Sequence, residues 1–166
     1  VRQTIEKRLV NEHKYLPKQI RIEYTLQFGS RKPRADIVIF DKDCLEQAQK
    51  DIKIIIECKK EAVDVRSTKD GVEQLKSYMS VCPNCEWGMW TNGRQKEVYR
   101  KFVNEQGQID FMDYNDIPSA DGDLDSINRP TRTSLKNAYD DNLLFTFKTC
   151  HNHIYANDGL QKQPAF

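Results

Sequence analysis

Residues 34–60 read RADIVIFDKDCLEQAQKDIKIIIECKK. Two apolar runs, 37–40 and 54–56, lie within this stretch, separated by a polar turn. Asp36 opens the first run, Glu57 closes the second, and Lys59 follows two positions on. Runs this short and rich in Ile and Val read as β-strands. The second has apolar residues on both faces, which is expected of a central, covered strand. Charges at the ends of such strands are costly unless they are paired or used.

Strand side chains alternate in direction. Ile55, Glu57 and Lys59 therefore share one face, and Ile54, Ile56 and Cys58 the other. Asp36 falls on the side of Val38 and Phe40. If the two strands pair, Asp36 and Glu57 converge at one end of the sheet. Two converging carboxylates repel, and desolvation adds to the cost, so a cation is needed. Mg²⁺ prefers oxygen ligands and is held by one or two carboxylates. Mn²⁺ is an expected substitute, and the carbonyl of Cys58 is a candidate further donor. Lys59 would then orient or deprotonate an attacking water, or offset charge on a phosphate.

Outward from this centre, Val1, Ile5, Leu9 and Val10 repeat at helical spacing, and the helix should end before Pro17. Residues 20–28 alternate and predict a strand, joined to the next by a basic turn over 29–33. A short helix is expected around 45–49. Asp70, with Glu73 three residues on, predicts the start of a helix whose buried stripe is Val72, Leu75 and Met79. Residues 86–91 and 97–103 read as a hairpin about Asn92-Gly93. Trp87 and Trp90 face opposite ways, which suggests one core residue and one free to meet the tail or a partner. This order predicts an α/β domain, a mixed central β-sheet flanked by helices.

The 166 residues suit one compact domain with a tail. Net charge is +1, but unevenly spread: residues 1–35 hold nine Lys/Arg against three acids, and residues 104–142 nine acids against three Lys/Arg. The basic segment, Lys14 to Arg34, is a candidate phosphate-contacting surface. The acidic stretch 107–134, with Pro118, Gly122 and Pro130, reads as a loop or linker. Five cysteines at irregular spacing, no signal peptide and no apolar run of membrane length point to a reduced, cytoplasmic compartment. Cys82-x-x-Cys85 lacks a second pair, so no structural zinc is expected. A start on Val1 and an end within a helical pattern suggest a piece of a larger protein.

An acid at the start of one strand, with Glu57-Cys58-Lys59 ending the next, resembles the PD-(D/E)XK nuclease superfamily, with Ala35 where that motif has proline. Gln74-x-x-x-Tyr78 on the following helix, and Glu6 on the first, narrow the resemblance. Residues 1–103 resemble the N-terminal nuclease domain of type I restriction enzyme R subunits. The resemblance implies a restriction-endonuclease-like core over 1–106 that cleaves double-stranded DNA with Mg²⁺. Asp36 and Glu57 would bind the metal, and Lys59 would act in catalysis with Glu6, Gln74 and Tyr78 in support. Arg31, Lys32, Arg34 and Lys60 would contact DNA. The helical tail, 135–166, carries a segment from Leu144 that resembles the helical region preceding N6-adenine DNA methyltransferase domains. It implies a downstream methyltransferase or translocase domain or subunit as partner. The alternative reading is a nuclease fold without chemistry, kept as a nucleic-acid-binding or docking module.

Overall fold

A computed structural model describes residues 1–122 of the chain. One six-stranded mixed sheet carries the fold: β1 (Ile20–Thr25), β2 (Arg34–Phe40), β3 (Ile52–Cys58), β4 (Trp87–Thr91), β5 (Lys96–Val103) and β6 (Ile109–Tyr114). The strands lie side by side in chain order. All neighbours are antiparallel except β3 and β4, which run parallel because helix α2 (Val72–Val81) makes the crossover between them. Helix α1 (Arg2–Asn11) precedes the sheet. Three-residue 3₁₀ turns, Pro17–Gln19 and Gln49–Asp51, lead into β1 and β3. Residues 45–48 form no helix, where a short one was expected; the second turn begins only at Gln49.

The alternation read from the sequence partitions the core. On one face Val38, Phe40, Ile55 and Trp90 pack with Leu75 and Met79 of α2. On the other, Ile37, Ile39, Ile54, Ile56, Trp87 and Met89 pack with Ile5 and Leu9 of α1. Each helix thus covers one face, and β3, apolar on both sides, sits in the middle. Trp87 and Trp90 do point opposite ways, yet both are core residues, because both faces are covered.

Three sequence expectations change. The sheet does not end at residue 103. Residues 109–114, inside the stretch read as an acidic linker, form edge strand β6, paired from Val98↔Tyr114 to Val103↔Ile109. Its two acids sit on an edge strand, where they cost little. Tyr114 meets Trp87 edge-on, with ring centroids 4.8 Å apart. The expected boundary at 106 therefore cuts through a hairpin, whose turn places Gly107 at φ +74°. The tail, 135–166, lies outside the described residues.

The second change is at the start of α2. Its N-cap is Gly71, with no side-chain cap, rather than Asp70. The chain folds tightly onto itself here: Gly71 N–H donates to Ser67 O at 2.9 Å, and Val72 N–H to Val65 O at 3.0 Å. A Cβ on Gly71 would lie 2.3 Å from Val65 O and 2.4 Å from Ser67 O, both backbone atoms with nowhere to go. Gly71→Ala should therefore cost about 3 kcal/mol, the upper range of overpacking. A denaturant midpoint unchanged from wild type would refute this account of the loop.

The third concerns the basic segment. Lys14 and Lys18 precede β1, whereas Arg31, Lys32 and Arg34 lie where β1 passes into β2. β1 carries them to opposite ends of the sheet, so the segment is not one surface. Among the described residues, no helix is long and apolar enough to cross a membrane.

Candidate active site

The site forms where the β2–β3 ladder ends. Regular pairing stops at Ile37↔Ile56, and the next pair would be Asp36 and Glu57. Their carboxylates take over from the ladder. Cys58 N–H donates to Asp36 Oδ2 at 2.8 Å, and Asp36 N–H donates to Glu57 Oε1 at 3.3 Å. Each acid thus satisfies a backbone donor of the region where the strands part. Lys59 Nζ donates to Glu57 Oε2 at 2.8 Å. The sequence expectation that Asp36, Glu57 and Lys59 share a face and an end of the sheet is met in this geometry.

Pairing is broken on the β1 side too. Ile22↔Ile37 and Tyr24↔Ala35 flank Asp36, but Glu23, the residue between, stands at φ +53°. A left-handed glutamate inside a strand is strained, and such strain collects at functional sites. Glu23 accepts from Arg2 Nη1 at 2.9 Å and from Arg34 Nη1 at 3.1 Å. Arg34, expected to meet DNA, is therefore engaged within the protein. Glu23 was not singled out in the sequence; as a polar member of the alternating IRIEYT it carries no signal that would have done so.

Electrostatics separates the members. Glu57 is 1% exposed. Burial pushes its carboxyl up to about 6, against the pull of Lys59. For Lys59, burial works against the charge, but the carboxylates of Glu57, Asp36 and Asp70 together outweigh it and raise the ammonium further. Lys59 is thus a cation at neutral pH. Asp70, read from sequence as a cap, lies close enough to Lys59 to strengthen that charge, and its carbonyl accepts from the Trp90 indole at 2.8 Å.

α2 brings its pair to the same face. Gln74 Nε2 donates to the Tyr78 hydroxyl at 2.9 Å. Burial raises the Tyr78 hydroxyl, and the Glu57 carboxylate adds to it. Gln74 Oε1 is buried with no partner among the described residues. Glu6 rides on α1, whose buried stripe packs on the opposite face; its ion partner is Arg2 at 3.6 Å, a guanidinium whose charge the Asp36 carboxylate also strengthens. Among the described residues, no group of three or more His, Cys, Asp or Glu is placed to hold a metal.

The pair Asp36 and Glu57 still offers a donor set of oxygens alone, as a hard divalent cation requires. Asp36 Oδ1 is left without a hydrogen-bond donor among the described residues, and burial disfavours the Glu57 charge, which a cation beside it would favour. These residues fit Mg²⁺. Cys82 and Cys85 differ: both are fully buried, and burial pushes the Cys82 thiol up to about 11 and Cys85 higher still.

A mixed sheet flanked by helices, gathering two carboxylates and a lysine where its middle strands end, defines an α/β protein with an acidic site at one end of the sheet. The chain belongs to the family described as Type I restriction enzyme R protein N terminus (HSDR_N), whose model matches residues 1–118. Comparison with curated proteins and with solved structures gave no match.

Proposed function

We propose that this chain is the DNA-cleaving domain of a restriction enzyme, hydrolysing phosphodiester bonds with Mg²⁺ held by Asp36 and Glu57. One observation carries the reading: a nearly inaccessible glutamate, raised toward neutrality, shares its strand gap with a second carboxylate and a charged lysine. When bound there, Mg²⁺ supplies Lewis-acid chemistry for attack of water on phosphorus.

The chain's own residues do the rest. Lys59 is protonated, so it serves as a fixed positive charge facing the phosphate, not as a base. Its pairing with Glu57 at 2.8 Å holds it at the strand end. Tyr78 receives its hydrogen bond from Gln74 and keeps its own proton to donate toward the site. The unsatisfied Gln74 Oε1 offers an acceptor for water or substrate. Family membership supports DNA as substrate and further subunits of a restriction–modification assembly as partners. The downstream methyltransferase or translocase, and a division near residue 134, stay parts of this proposal.

Supercoiled plasmid incubated with the protein and Mg²⁺ or Mn²⁺ should be nicked or linearised, and a chelator should stop it. Absence of both cleavage and carboxylate-dependent Mn²⁺ uptake would leave the docking-module reading standing instead.

A further inference from the structure

Among the described residues, ten of the 21 Lys and Arg side chains are paired with carboxylates: Arg2, Arg8, Arg34, Lys50, Lys53, Lys59, Lys76, Arg94, Lys96 and Arg100. Arg31, Lys32, Lys60, Arg66 and Lys69 have none, and their side chains make no hydrogen bond among the described residues. All five are exposed. They sit on two connections: residues 26–33, which lead into the Asp36 strand, and residues 59–71, which leave the Glu57 strand. Both leave the site end of the sheet, one on each side of the carboxylate pair.

Resting on the nucleic-acid reading above, we propose that these two loops are the walls of a phosphate-backbone clamp. Its second wall, Lys60, Arg66 and Lys69, contacts duplex DNA beside the acid pair. Both walls are built in advance. The first is closed by Leu26 N–H to Pro33 O at 2.8 Å, Arg31 N–H to Phe28 O at 3.0 Å, and Gly29 at φ +59°. The second is pinned by Asn92, buried, whose Nδ2 donates to Val63 O at 2.9 Å.

The acids of the second wall are each already engaged within the protein. Glu61 pairs with Arg94, Asp64 Oδ1 accepts Arg66 N–H at 2.7 Å, and Asp70 is half-buried beside Lys59. The three lysine and arginine heads are left to solvent. Cations without partners gain most from phosphate, since binding releases counterions and breaks no internal pair. Such contacts fix position and carry no sequence information.

The test is binding of a short labelled duplex to the whole chain in chelator, so that cleavage cannot interfere. Salt is varied between about 50 and 200 mM. With five phosphate contacts, log K should fall against log salt with a slope of about −4 to −5. The triple variant Lys60→Ala, Arg66→Ala, Lys69→Ala should lose about three from that slope, equally on unrelated sequences. The control Lys18→Ala, Lys42→Ala removes two unpaired cations at the opposite end of the sheet and should leave the slope unchanged. Equal slopes for the triple variant and wild type, or an equal loss in the control, overturn the clamp. Wild type that cleaves plasmid while the triple variant keeps its slope sinks the clamp and spares the hydrolytic reading. Normal salt-dependent binding without cleavage does the reverse.

Discussion

Asp36→Asn and Lys59→Met should each lose Mg²⁺-dependent DNA cleavage by about 10³-fold or more while remaining folded. Asparagine keeps an oxygen for Cys58 N–H, the one hydrogen bond that Asp36 makes to β3 through its side chain. Only the charge disappears, and with it half of the carboxylate pair. Methionine at 59 keeps the stem packed and removes the ammonium. Glu57 then has no cation beside it and is raised further, so it takes a proton instead of unfolding the strand. Plasmid cleavage, read with thermal melting on the same samples, separates chemistry from folding. Full cleavage by either variant would remove that residue from the site. Unfolding of Asp36→Asn would show the acid to be structural.

Lys59 is also where sequence and structure part most instructively. Side-chain alternation placed it beside Glu57 from sequence alone, because period two follows from strand geometry. Its protonation did not follow, because that depends on burial and a partner at 2.8 Å. The same division runs through the fold. β2 and β3 were legible because both are apolar runs with a charge at one end. β6 was not, because IDFMDY carries acids that an edge strand tolerates and a composition count reads as loop. The α2 start was displaced by one residue, since Gly71 is set by contacts with Val65 and Ser67, carbonyls that no local capping rule sees.

The supporting residues divide likewise. Gln74 and Tyr78 are four apart on a helix, a spacing that guarantees contact, and they are bonded. Glu6 depended on where α1 packs. Its buried stripe, Ile5 and Leu9, packs on the far face of the sheet, while Arg2, which pairs with Glu6, feels the Asp36 carboxylate. Arg34 depended on Glu23, whose left-handed backbone has no signature in its neighbours. Local periodicity thus carried the carboxylate pair, while which face a helix covers and which cation is already paired required the assembled sheet.

Glu57 makes a prediction about stability that runs against the usual acid behaviour. A carboxyl raised from the ordinary 4.5 to about 6 is protonated more readily in the folded protein than in the unfolded chain. The folded state then binds more protons between those values, so stability falls as pH rises through that window. The cost of ionising Glu57 amounts to ~2 kcal/mol above about pH 6. His13 has the opposite sign: burial lowers it, so its contribution rises with pH. The two partly cancel in wild type, and the comparison with Glu57→Gln isolates the acid. In chelator, from about pH 8 down to about pH 4.5, wild type should gain ~2 kcal/mol relative to Glu57→Gln. Denaturant melts at each pH measure it. At about pH 8, added Mg²⁺ should raise the melting temperature of wild type and leave Glu57→Gln unmoved, because binding to the folded state alone stabilises it. Parallel pH curves would mean that Glu57 is not held near neutrality. A Mg²⁺ response surviving in the glutamine variant would place the cation elsewhere. If both outcomes hold as expected, the fold carries at β3 a charge that destabilises it, and holding a cation there is the physical reason to keep it.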